Sequence, residues 1–134
     1  FNGQALYAVS DKLRQNGGFM RVYWSGAWYF LAADARLRQQ SSGSLNLDQA
    51  LAKLNLCCAE RRMSVPQMVS KLDELNRVLL FESLYEEVRA SRTIPEFEPI
   101  FASMGITVRD GEVSLQQEGP GARLRRQIAM RKPL

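Results

Sequence analysis

Tyr23-Trp24-Ser25-Gly26-Ala27-Trp28-Tyr29-Phe30-Leu31-Ala32-Ala33 follows the polar loop Asn16-Gly17-Gly18 and stays nearly all apolar until Asp34. Its spacing is helical on two faces. Tyr23, Ala27, Phe30, Ala33 and Leu37 mark one, and Trp24, Trp28, Leu31 and Ala35 mark the other. A helix that is apolar on two sides belongs at the centre of its domain. This reading decides the fold class: mainly α, a multi-helix domain of about six or seven helices with one small C-terminal β-hairpin. It also places the phenol of Tyr23 at the head of a buried helix, where a hydroxyl needs a partner or a task.

Outward from that segment the same periodicity recurs. Leu6, Val9 and Leu13 predict one short first helix, stopped by Asn16-Gly17-Gly18. Leu47, Ala50, Leu51, Leu54 and Cys58 predict a third helix, Val65, Met68, Val69, Leu72 and Leu75 a fourth, and Phe81, Leu84, Tyr85 and Val88 a fifth. Three helix starts show one cap chemistry, with Asn46 before Gln49, Ser64 before Gln67 and Thr93 before Glu96. Pro66 and Pro95 then fall in first turns, where a missing N–H costs nothing. Asp110-Gly111 between Ile106–Val108 and Glu112–Leu115 is a two-residue hairpin signal. The chain therefore reads as one domain over 1–134. An N-terminal helix and glycine loop occupy 1–18, a helical core 21–104, the hairpin 106–116 and a basic C-terminal helix or tail 120–134.

Composition sets the limits. The 134 residues are 46% hydrophobic and 24% charged, a globular rather than a disordered balance. No run approaches the roughly 18 apolar residues of a membrane span. No secretory leader pattern opens the chain, and Phe1 at its head reads as a processed product or excised fragment. Five of the 18 basic residues (Arg123, Arg125, Arg126, Arg131 and Lys132) fall in the last dozen positions, leaving 13 against 14 acidic ones elsewhere. The basicity belongs to a solvated helix end, and no aromatic interleaving suggests nucleic acid as a partner. Cys57 and Cys58 read as small hydrophobes packed unbonded in the apolar stripe of their helix. Gly26 reads as a site of close helix approach, and Asp34 with Arg38 as an i,i+4 ion pair.

Taken in order, these residues resemble the post-zinc region of the glycyl aminopeptidase family of zinc metallopeptidases. The likeness spans roughly residues 20–108. It begins with Tyr23-Trp24-Ser25-Gly26-Ala27, similar to that family's Tyr-x-x-Gly helix start, and Ser44-Leu45-Asn46-Leu47-Asp48, similar to its next helix cap. Asp34, Arg38 and Ser41-Ser42-Gly43 fall at the family's spacing. So does the aromatic helix of Phe81, Leu84, Tyr85 and Val88. Ile94-Pro95-Glu96-Phe97-Glu98-Pro99-Ile100 running into Met104-Gly105-Ile106 resembles its Leu-Pro…Leu-Gly-Leu ending. Two positions depart from the pattern: Ser25 replaces a lysine, and Ala90 stands where a turn glycine is common.

The resemblance implies a C-terminal helical domain of a zinc aminopeptidase that walls the substrate cleft and presents Tyr23 as its one catalytic group. A phenol stays a neutral donor at pH 7 and can stabilise negative charge developing on the scissile carbonyl oxygen. With no histidine in the chain, the family's H-E-x-x-H and its glutamate ligand belong upstream of Phe1. The chain itself carries no cofactor or metal site, and zinc is expected in the upstream part. Alone it is expected to be inactive. Its implied partners are that upstream catalytic domain and a peptide substrate with a small N-terminal residue such as glycine or alanine. Exposed apolar helix faces, including Trp24 or Trp28, would let copies associate. The family points to a soluble bacterial protein and leaves the compartment open. The alternative is a non-catalytic helical interaction or scaffold module.

Overall fold

Residues 3–130 are described by a computed structural model with eight helices and one hairpin among them. In chain order these are α1 Leu6–Ser10, α2 Leu13–Asn16, α3 Phe19–Gln40, α4 Leu47–Cys58, α5 Val65–Asn76, α6 Phe81–Ala90, α7 Glu98–Ser103, strands β1 Ile106–Arg109 and β2 Glu112–Leu115, and α8 Pro120–Ala129. The mainly helical class with a C-terminal hairpin is what the periodicity predicts. Arg131 and Lys132 of the basic tail lie outside the described residues.

The local signals account for most boundaries. Asn46 Oδ1 accepts the Gln49 N–H at 2.9 Å while Gln49 Oε1 accepts the Asn46 N–H at 3.1 Å. Ser64 and Gln67 reciprocate in the same way, with Pro66 in the first turn of α5. Gly17 ends α2 in the left-handed region at φ 64°. Asp110 and Gly111 both take positive φ, 50° and 79°, and set the antiparallel register Arg109↔Glu112 through Ile106↔Leu115.

Two boundaries differ. The first predicted helix is split at Asp11–Lys12, where Lys12 leaves helical geometry at φ −126°, making eight helices rather than six or seven. The third expected cap does not form. Thr93 lies in a loop closed by Ser91 Oγ on the Thr93 carbonyl at 2.6 Å, and α7 starts at Glu98 with Pro99, not Pro95, in its first turn. A long-range contact competes for the backbone here: Trp28 Nε1 donates to the Glu96 carbonyl at 2.9 Å. That acceptor is one a helix started at Thr93 would have used internally.

The core lies between α3 and a layer of α4, α5 and α6, with α1, α7 and α8 closing the edges. Val69, Leu72, Phe81, Leu84 and Leu37 are its fully buried large side chains. Each contributes roughly 1.5–3 kcal/mol of transfer free energy. α8 is not a loose basic tail. Arg125 donates to the carbonyls of Met104 (2.8 Å), Gly105 and Gln116, and Arg126 donates to that of Gln117. A Cβ on Gly121 would sit 2.6 Å from the Gly105 amide nitrogen, so α8 meets the α7–β1 turn by backbone approach. Gly26, by contrast, has nothing within 4 Å of where its Cβ would be among the described residues, so the expected close approach is not made by them.

One carboxylate organises α6. Leu80 offers no side-chain cap, and Asp73 from the last turn of α5 replaces it. Its Oδ1 accepts the Leu80 and Phe81 N–H groups at 3.1 and 2.7 Å, and Oδ2 accepts that of Glu82 at 3.0 Å. Charged acceptors at a helix N-terminus are favoured by both hydrogen bonding and the helix dipole. Asp73→Ala is expected to destabilise the fold by about 2–4 kcal/mol. Urea unfolding checks this as a lowered midpoint with an unchanged m-value.

Candidate functional site

The polar chemistry of α3 is not where the sequence places it. Tyr23 is 66% exposed rather than at the head of a buried face. Among the described residues its hydroxyl makes no hydrogen bond; the ring is held edge-on against Trp24, centroids 5.4 Å apart. Trp24 continues edge-on to Phe97 at 6.0 Å, and Phe97 tilts against Phe101 at 5.9 Å. An aromatic strip thus runs from the Tyr23 phenol to α7. Phe19, Met20 and Phe30 are also exposed on α3. Of the two tryptophans, Trp28 is buried and Trp24, at 44%, is open.

The buried phenol is Tyr29, whose hydroxyl donates to the Phe81 carbonyl at 2.8 Å. Burial, then the nearby Asp73 carboxylate and Tyr85, pushes its pKa well above the ordinary phenol value. Burial and a like charge both disfavour the phenolate, so the folded state holds its proton more tightly than the unfolded chain. Stability from Tyr29 is therefore fully present below about pH 10 and is lost as pH rises beyond it. Tyr29→Phe is expected to flatten that alkaline loss, at the expense of about 1 kcal/mol at pH 7. Denaturation midpoints measured from neutral to strongly alkaline pH read both.

Arg21, one turn ahead of Ser25 on α3, is the largest fully buried side chain, and the sequence reading missed it. Its Nη2 donates to the Ser91 carbonyl at 2.7 Å, the same oxygen that accepts the Leu6 N–H at 2.9 Å. Ser91 caps the C-terminus of α6, so the guanidinium sits at the negative end of that helix dipole. Among the described residues, Arg21 Nε and Nη1 and Ser25 Oγ have no hydrogen-bond partner. Periodicity marks Arg21 only as a polar interruption; its place under α1 and beside α6 is a tertiary fact. Because unpaired buried donors offset the gain, Arg21→Met is expected to leave stability nearly unchanged or raise it. Arg21→Ala, which leaves a cavity, is expected to lose roughly 2–5 kcal/mol. Paired chemical-denaturation curves separate the two outcomes.

Asp34 and Arg38 form the expected ion pair at 3.0 Å, and Asp34 Oδ1 also accepts the Leu47 N–H at 2.9 Å, helping to start α4. The sulfurs of Cys57 and Cys58 lie side by side at the C-terminal end of α4. Cys58 is buried and Cys57 exposed, since helix neighbours point about 100° apart and cannot share one stripe. A cavity of about 480 Å³ opens between α3, α6 and α7 over Trp28, Val88 and Ile100. Arg36 and Glu87 meet at its rim at 3.8 Å. Tyr23 does not line it.

The sequence has no histidine, and no three Cys, Asp or Glu side chains cluster among the described residues. No helix among them is long and apolar enough to cross a membrane. No protein-family model, curated protein or solved structure matches this chain.

Proposed function

We propose that this chain is the helical domain of a zinc aminopeptidase-like protein, in which the Tyr23 hydroxyl donates a hydrogen bond to the scissile carbonyl oxygen and stabilises the oxyanion. The observation that carries the reading is the exposed side chain of Tyr23 at the second turn of α3, its hydroxyl without a hydrogen bond among the described residues and its ring braced by Trp24. The ordered set of residues that resembles the glycyl aminopeptidase family supports it. The metal donors would come from polypeptide other than these 134 residues. This chain's part is to hold the phenol rigidly on a 22-residue helix and to wall the cleft beside it. A neutral donor aimed at a developing oxyanion stabilises it by roughly 2.7–4 kcal/mol.

Ser25 does not take up the role of the family's lysine at that position, because its side chain is buried against the domain interior with its hydroxyl unpartnered. Asp34 and Arg38 serve structure, each tied to α4 or α8 as well as to the other.

The second reading is a non-catalytic interaction module, favoured by the length of the exposed aromatic face. The two part cleanly in the protein that joins this chain to its zinc-bearing part. Tyr23→Phe is expected to lower kcat on glycyl and alanyl amides by about 10²–10³ with zinc content unchanged. Undiminished turnover removes Tyr23 from catalysis. Absence of any turnover in the unaltered, zinc-loaded protein leaves the interaction module.

A further inference from the structure

We infer that the chain self-associates through the first half of α3, as a two-fold symmetric pair that covers Tyr23 and Trp24. The inference does not rest on the catalytic reading. Phe19, Met20, Tyr23, Trp24 and Phe30 stand between 40% and 66% exposed on consecutive turns of one helix. Side chains of this size bury about 200 Å² each when fully covered, so the five expose roughly 500 Å². That is at the upper end of the apolar patches monomers tolerate. Two copies meeting on it would bury about 1,000 Å², the lower bound for a specific interface.

Three further features fit a second copy of this chain. From Phe19 to Ala33 the helix carries a single charge, Arg21, which is buried on the opposite side, so like copies meet without repulsion. Gly26 and Ala27 lie midway between the bulky turns of Phe19–Trp24 and that of Phe30. An antiparallel crossing there brings small residue to small residue at the axis and lets the aromatics interdigitate on either side. The space at Gly26 that no described residue uses is then filled by the partner helix. A zinc-bearing unit and a second copy would compete for this face, so pairing would withdraw the phenol from use.

Sedimentation equilibrium on the 134-residue chain, from low to several-hundred micromolar, is expected to show a species of twice 15.2 kDa. Met20→Glu with Trp24→Glu is expected to weaken association on the order of 100-fold, by placing two unpaired charges from each copy in the apolar contact, with far-UV circular dichroism unchanged. Leu79→Glu, at a residue 93% exposed on another face, is expected to leave the dimer intact. If the double variant fails to fold, hydroxyl-radical footprinting of the unaltered chain decides. Tyr23 and Trp24 should become protected as concentration rises. A monomer throughout that range overturns the inference. So does association that persists in the folded double variant, or footprints independent of concentration.

Discussion

A single helix, α6, is held at both ends by charges that other helices supply. Asp73 of α5 takes the three N–H groups that open it, and Arg21 of α3 donates to the carbonyl that closes it. Helix ends leave backbone groups unpaired, and burying them without partners costs more than most packing contacts return. Leu80 at the start of α6 has no side chain that could cap. The helix therefore depends on its neighbours, and those neighbours are fixed in turn by having to reach it. Tyr29 adds a third tie from α3 to the Phe81 carbonyl. α1 joins the same network through Leu6 on the Ser91 oxygen that Arg21 also uses.

This network explains why α3 has an inside and an outside despite being apolar nearly all round. The side carrying Arg21, Ser25, Trp28, Tyr29 and Ala32 is committed to α1, α6 and α7. Among the described residues, the side carrying Phe19, Met20, Tyr23, Trp24 and Phe30 has no layer over it. Hydrophobicity alone does not choose between them, because burial is non-directional. The choice is made by hydrogen bonds with fixed partners. A buried arginine with two unpaired nitrogens is an expensive way to make it, which points to orientation rather than stability as its contribution.

The same division separates the two phenols. Of the two phenols on α3, Tyr29 is buried, bonded and titrates high, while Tyr23 is open and has no hydrogen bond among the described residues, so it is Tyr23 that can meet another molecule. The aminopeptidase-like reading and the pairing of α3 both begin from that one exposed turn, but they ask different things of it. Catalysis needs the phenol presented to a substrate; self-association needs the flat aromatic surface around it. The small residues Gly26 and Ala27 matter to the second alone.

The capping boxes at Asn46 and Ser64, the Asp110-Gly111 turn and the helical periodicity were legible because each depends on residues within four positions of one another. So was the Asp34–Arg38 pair. Thr93 misled for the complementary reason: its local cap signal lost to Trp28, which holds the Glu96 carbonyl from 68 residues away. The arginines of α8 read as solvated charge, yet the hairpin's carbonyls lie within reach of Arg125 and Arg126 only after the chain has turned back at Gly119. Which phenol is buried, which tryptophan is open and why Arg21 lies inside were decided by tertiary packing. Period and propensity act along the chain, whereas dipoles, carbonyl acceptors and covered faces are set by whichever helix arrives from elsewhere.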